Sequence, residues 1–306
     1  MNKKILITGG TGFIGYHLAK KCIEMNWDVT SISTKNPPKI RMLKNIKYVK
    51  CDISNKVLIK KKIKLDYNYV VNLAGYVDHS NKKKTFKSHF IGSKNLAIHF
   101  KNSKIEKFIQ IGSSVEYGKQ KSPQKEKKIN RQKTYSIYAK SKLLSTKFLL
   151  NLNEKINFPA TILRLYLVYG THQDMNRVIP ITIINSLKNK NFDCSSGEQY
   201  RDFLNVSDVI DAIIRILKKK KTSGKIYNLG SGRPIKIKDV INRICSQTGG
   251  GKPLFGKIKP RKDEIQNLHP NIKKISKEIN WKPKINLDQG LRKTIKFYKK
   301  NYKLIK

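Results

Sequence analysis

The chain has 306 residues, long enough to bury a substantial core, so one large domain or a domain with a smaller lobe is expected. The apolar run after Lys3-Lys4 is too short for a signal segment and no stretch approaches the length of a membrane span, which excludes membrane insertion and points to the cytoplasm. The 66 Lys+Arg against 20 Asp+Glu give a formal net charge of +46, but the excess is nearly all Lys and spread along the whole length. It reads as a solvated coat that favours small anionic substrates, with salt-sensitive polyanion binding as a side effect and no specific nucleic-acid surface. Cys22, Cys51, Cys194 and Cys245 lie far apart, without a C-x-x-C pair or a nearby His at metal spacing, so they are expected to be buried thiols and no metal site is expected.

In chain order, Ile5 to Ile7 reads as a buried strand and Gly9-Gly10-Thr11-Gly12-Phe13-Ile14-Gly15 as the turn into a helix whose apolar face carries Phe13, Ile14, His17, Leu18 and Cys22. The spacing G-x-x-G-x-x-G suits a phosphate cradle. Gly9 permits the sharp turn, Gly12 a close backbone approach to a pyrophosphate, and Gly15 close packing of helix on sheet. The helix N-terminus then presents N–H groups to the anion. Asp28 to Ser33 is a second strand. At its end, where NAD-binding folds place an acid for the ribose 2′-hydroxyl, stand Ser33, Thr34 and Lys35; hydroxyls beside a cation suit a 2′-phosphate, so NADP(H) is favoured with NAD(H) as the alternative. Lys47 to Cys51 is a third strand, and Asp52 after it is placed either to meet an adenine ring or to cap a helix from about Val57.

Tyr69 to Leu73 is a fourth buried strand leading into Ala74-Gly75, small residues that let the backbone pass near a cofactor. A helical pattern follows through Phe90, Leu96, Ala97 and Phe100. Phe108 to Ile111 is a fifth strand, running into Gly112-Ser113-Ser114-Val115-Glu116-Tyr117-Gly118. Tyr138 and Lys142, four apart, share one face of the long helix that follows. The same Y-x-x-x-K spacing recurs at Tyr16/Lys20 and Tyr117/Lys121, so position selects the Tyr138 pair: it opens a helix just after the strand carrying Ser113.

The residues at this point resemble the extended short-chain dehydrogenase/reductase family, in particular the NAD(P)-dependent epimerases, dehydratases and ketoreductases that act on nucleotide-diphosphate sugars. The resemblance rests on the Thr8 to Gly15 turn, Asn72-Leu73-Ala74-Gly75, Ser113-Ser114 before Tyr117-Gly118, and Tyr138 to Lys142. It continues through Arg164 with Val168-Tyr169-Gly170, the stretch Gly197 to Val209 and Asn280-Trp281-Lys282-Pro283 before a helix from about Leu287. It implies a Rossmann-type doubly wound parallel α/β sheet over residues 1–166 and a smaller C-terminal substrate-binding lobe over 167–306, with segments around 200–230 returning to the sheet.

The resemblance further implies that Tyr138 is the general acid/base, Lys142 the cation that favours its phenolate and binds the nicotinamide ribose, and Ser113 a donor to the reacting sugar oxygen. Gly9, Gly12, Phe13, Ile14, Gly15, Ser33, Thr34, Lys35, Asp52, Ile53, Leu73, Ala74 and Gly75 are the implied cofactor contacts. Ser114, Arg177, Arg201 and Arg261 are the implied substrate contacts, the arginines gripping a pyrophosphate. Asp208 is expected to cap or order the helix through Ile213, Ile214 and Leu217, Trp281 to be a packed anchor, and a homodimer is implied. Three departures narrow the reaction. The 4,6-dehydratases carry an Asp-Glu pair where Ser114 and Val115 stand, with Glu116 one residue late. Ketoreductase-epimerases place a Cys at Val115. His89 stands where the family commonly has Asn and is expected to be a core His. The expected function is NADPH-dependent reduction of a 4-keto-sugar nucleotide in surface-polysaccharide biosynthesis. The alternatives are an NAD-dependent C4 epimerase of a nucleotide sugar and a non-catalytic NAD(P)-sensing or scaffold protein.

Overall fold

The structure is a computed structural model and describes residues 2–126, 134–259 and 264–301. The chain divides into two compact units. The first comprises Met1–Gly118, Glu126–Leu165 and Ile210–Asn228; the second comprises Lys119–Lys125, Tyr166–Val209 and Leu229–Lys306.

Six strands come first: β1 (Lys4–Thr8), β2 (Asp28–Ser33), β3 (Lys47–Lys50), β4 (Tyr69–Asn72), β5 (Lys107–Ser113) and β6 (Ala160–Leu165). The strands β7 (Leu167–Tyr169), β8 (Asn191–Asp193) and β9 (Tyr200–Asn205) follow, and β10 (Lys225–Leu229) joins the first sheet. The sheet has seven strands in the order β10-β6-β5-β4-β1-β2-β3, and its pairings from β6 to β3 are parallel. The order reverses beside β1, which leaves a crevice beyond its carboxyl end where ligands of such sheets bind. The helices include α1 (Phe13–Glu24), α2 (Lys56–Lys62), α3 (Lys82–Phe86), α4 (Gly92–Phe100) and α5 (Ile137–Ile156). Leu6, Val70, Phe108 and Ile162 from four strands join Leu96 and Phe100 of α4 and Leu149 of α5 in one core. Strands β1 and β4 read as nearly continuous apolar runs because a parallel sheet is covered on both faces.

Several local expectations are corrected. The buried side of α1 is Gly15, Tyr16, Leu18, Ala19 and Cys22. Phe13, Ile14 and His17 are only half-buried, because close packing of Gly15 sets the rotation of the helix. Asn55, not Asp52, caps α2, accepting from the Val57 and Leu58 N–H groups, while Asp52 accepts from Ser54 at 2.8 Å. The helical run after β4 is interrupted by a π-helical turn at Lys87–Ile91, where Ser145 of α5 donates to the His89 carbonyl at 2.7 Å. Cys245 is half-buried, whereas the other three thiols are buried.

In the second unit, β9 pairs β7 and lies between β11 (Pro234–Lys236) and β13 (Asn267–Leu268), and β12 (Lys252–Leu254) pairs β8. Tyr169, Ile183, Phe203, Val240, Ile244, Leu291 and Tyr298 belong to its core, and Trp281 is buried. Asn205 caps the helix Val206–Lys218 by accepting from Ser207 at 3.0 Å. Asp208 instead accepts from the Lys284 and Ile285 N–H groups, which fixes the segment leading to the last helix. Among the described residues no helix is long and apolar enough to cross a membrane.

Candidate active site

The turn after β1 is shaped by two glycines. Gly9 has φ +71°, and a Cβ there would lie 2.9 Å from the Leu73 carbonyl and the Ala74 nitrogen; a Cβ on Gly15 would lie 2.3 Å from the Gly9 carbonyl oxygen. Side chains at these positions are therefore excluded by backbone. No side chain caps α1 at Gly12 and no acid occupies its first turn, so the positive end of its dipole is left for an external anion.

A cleft of about 300 Å³ opens beside this turn, lined by Thr8 and Gly9 after β1, Ser33 and Thr34 after β2, Asp52 and Ile53 after β3, and Ala74 and Gly75 after β4. Asp52 is the acid among these lining residues. The cradle, the uncapped helix end and the strand-end positions fit a dinucleotide. Lys35, by contrast, is exposed beyond β2 and Leu73 offers its backbone under Gly9; neither lines the cleft. Three features had no signal in the sequence. Thr11 and Ser33 hydroxyls bond at 2.6 Å, Lys84 and Lys87 line the same cleft, and a buried row of hydrogen bonds crosses the sheet beneath it. In that row Thr8 donates to Asn72 at 2.5 Å, and Asn72 and Ser93 each donate to Gln110 at 2.8 Å.

Ser113 ends β5 and caps a 3₁₀ turn at Ser114–Tyr117. The Glu116 carboxylate accepts from the Ser113 N–H at 2.8 Å, from Thr146 at 2.7 Å and from the Arg164 Nε at 2.9 Å. Glu116 and Arg164 are both fully buried, and the guanidinium covers the Tyr117 ring at 4.2 Å. Tyr117 in turn donates to Asn228 at 2.6 Å. The acid nearest the strand end is thus held by three chain groups, and Ser114 beside it is buried.

Ser136 caps α5, which presents Tyr138, half-buried, and Lys142, buried, one turn apart. The Lys142 Nζ lies 6.0 Å from the centre of the Tyr138 ring and donates to the Ile111 carbonyl at 2.7 Å. Burial pulls its ammonium down to about 8, opposed by the charge of Glu116. Two imidazoles flank Tyr138. His79 stacks on it with ring centres 3.9 Å apart and planes 13° apart, and His89 meets it edge-on at 4.9 Å. His89 is buried, with its Nε2 3.1 Å from the Tyr76 carbonyl. Burial, with the Lys142 charge second, pushes it down to about 3, so it is a neutral imidazole that donates from Nε2. The family-typical Asn position thus holds a core His, while His79 was invisible in a stretch that reads as a polar turn.

In the second unit Arg201 is buried, donating to the Tyr200 carbonyl at 2.8 Å and the Ile265 carbonyl at 2.7 Å and pairing with Glu264. Arg177 is exposed at the start of the helix Val178–Leu187. Arg261 lies outside the described residues. Among the described residues no group of three or more His, Cys, Asp or Glu could hold a metal ion.

The reversal of strand order and the glycine turn after β1 define a Rossmann-type unit. Residues 5–230 match the model of the NAD dependent epimerase/dehydratase family, and the chain belongs to that family. It is 30% identical to a putative UDP-glucose 4-epimerase of Methanocaldococcus jannaschii, over 97% of this chain and 99% of the relative. It is 29% identical to the dTDP-D-glucose 4,6-dehydratase of Homo sapiens, over 98% and 91% respectively. The solved UDP-glucuronic acid 4-epimerase of Bacillus cereus, in complex with UDP-glucuronic acid and NAD, is similar with a TM-score of 0.85 and 25% identity, covering 98% of this chain and all of that one.

Proposed function

We propose that the protein transfers hydride to or from the sugar ring of a nucleotide-diphosphate sugar, and that its reaction is NADPH-dependent reduction of a 4-keto sugar. The observation that carries this reading is the engagement of Glu116. With its oxygens held by Ser113, Thr146 and Arg164, and with Ser114 and Val115 in place of an acid pair, the strand end offers no acid for elimination of water. What remains is proton transfer coupled to hydride transfer.

The bound nicotinamide would supply the hydride. Tyr138 holds the proton bound for the ketone oxygen. The Lys142 ammonium one helical turn away stabilises negative charge as it develops on the phenol oxygen during proton transfer. Ser113 donates to the oxygen as charge develops on it. Arg201, with Arg177 and Arg261, is the proposed grip on the pyrophosphate; to take it, Arg201 must exchange the Glu264 carboxylate for phosphate oxygens.

A second reading, an NAD-dependent C4 epimerase, is favoured by the 4-epimerases among its relatives and uses the same three side chains. Two measurements separate them. Thermal-shift screening with NAD(H), NADP(H), UDP, GDP, CDP and dTDP identifies the ligands by mass action. A reductase consumes added NADPH with a matching 4-keto sugar nucleotide. An epimerase purifies with NAD and interconverts C4 isomers with none added, and that outcome would replace the reductase reading. Saturable NADP(H) binding with no turnover of any nucleotide sugar would instead indicate a sensor or scaffold.

A further inference from the structure

We propose that His79 is a positioning residue for Tyr138, acting through the face of its imidazole ring. The inference rests on the reading of Tyr138 as the acid/base. The turn that carries His79 is tied along its length. Tyr76 N–H donates to Ser88 at 3.0 Å, Asp78 accepts both the N–H and the hydroxyl of Ser80 at 3.1 and 2.6 Å, and Asn81 accepts from Lys84 at 2.9 Å to start α3. A turn braced in this way delivers His79 to one place. There its ring lies parallel to the phenol, with centres 3.9 Å apart.

His89 is T-shaped to both rings, 4.9 Å from Tyr138 and 5.7 Å from His79, so the phenol has one parallel ring on its face and one inclined ring beside it. Among the described residues, nearby charged groups include Lys142 on α5 and Asp78 on the turn. Neither contributes a flat surface. A tyrosine that is only half-buried has more than one side-chain orientation open to it, and an acid/base misaimed by about 1 Å can lose about 100-fold in rate. An aromatic stack of ordinary strength biases such a choice by roughly two- to tenfold, which is the size of effect expected here.

His79 is exposed, so its substitution leaves the fold intact. Three variants decide the matter: His79→Ala, His79→Phe and, as the reference for Tyr138 itself, Tyr138→Phe. In the NADPH-consumption assay with a panel of 4-keto sugar nucleotides, His79→Ala should lower kcat by about two- to tenfold with KM values for sugar and cofactor within about twofold. His79→Phe, which keeps a flat ring without a nitrogen, should recover kcat to within about twofold of wild type. Wild-type kcat in His79→Ala, a raised KM with intact kcat, or equal impairment in His79→Phe would each overturn the proposal. If Tyr138→Phe turns over like wild type, the reading of Tyr138 falls and this inference with it; if Tyr138→Phe is inactive while His79→Ala is normal, this inference alone falls. A readout independent of turnover is the ¹⁹F spectrum of fluorotyrosine-labelled protein, with the Tyr138 signal identified by its loss in Tyr138→Phe. That signal should shift on His79→Ala, and an unmoved signal would also overturn the proposal.

Discussion

The Lys142 ammonium donates a 2.7 Å hydrogen bond to the carbonyl of Ile111, two residues before Ser113 on β5. This bond ties the face of α5 that bears Tyr138 to the strand that ends in Ser113. It also gives a buried cation a carbonyl rather than a carboxylate as its partner, since the nearby Glu116 is taken by Arg164. Burial depresses the ammonium to about 8, and the charge of Glu116 only partly opposes this.

The first prediction concerns alkaline pH. Lys142 is charged below about 8 and neutral above it, so turnover should decline as pH rises through about 8, when the phenol loses its supporting cation. In Lys142→Arg the charge persists, and the decline should move to higher pH even if the larger group lowers the maximal rate. A pH–rate profile of wild type that stays flat to pH 9.5 would contradict this account of Lys142.

Acid stability tests His89. Its folded-state value of about 3 lies below the ordinary value near about 6.5, so below that pH the unfolded chain takes up a proton that the folded one refuses. Stability should therefore fall as pH falls from about 6.5 toward 3, by up to about 1.4 kcal/mol per pH unit from this group. Denaturant unfolding at pH 6.5 and 5.0 should show wild type losing about 1.6 kcal/mol more than His89→Asn. Equal losses would show that His89 does not titrate in this way.

The buried Glu116–Arg164 pair supplies a stability prediction. Arg164→Met leaves the carboxylate without its cation in a site closed to water, which should cost about 3–5 kcal/mol. A loss under about 1 kcal/mol in denaturant unfolding would mean that Glu116 finds another partner, and would reopen it as a chemical group.

For the cofactor turn, Gly15→Ala places a methyl 2.3 Å from the Gly9 carbonyl oxygen, and both are backbone-fixed, so the turn itself must move. The thermal stabilisation that wild type gains from NAD(P)(H) should be lost or require at least about tenfold more ligand, a change worth about 1.4 kcal/mol. An unchanged ligand-induced shift would place the dinucleotide elsewhere.

What the sequence disclosed, and what it hid, divides by range along the chain. Strand β2 falls on Asp28–Ser33 as expected and α5 opens beside Tyr138, because a short β-branched stretch and a capped helical period are local patterns. The Rossmann-type arrangement of the first sheet was implied by the family resemblance, to which the glycine turn between β1 and the following helix is one local contribution. The relationships that give the site its chemistry are not local. Glu116 meets Arg164 from 48 residues away, and His79 lies on a ring 59 positions later in the chain, so neither pairing is written in periodicity. Even the π-helical turn at Lys87–Ile91 goes with a hydroxyl on another helix, Ser145. Conversely, Asp52 was open to two roles in the sequence, and a neighbouring Asn55 with better geometry took the capping role.

All of this converges on the phenol of Tyr138. The most direct measurement is the turnover of Tyr138→Phe against the nucleotide sugar that gives the largest thermal shift, with cofactor affinity determined on the same protein. Removing the proton donor should lower kcat by at least about 100-fold while leaving NAD(P)(H) binding as in wild type. Turnover at the wild-type rate would contradict the account.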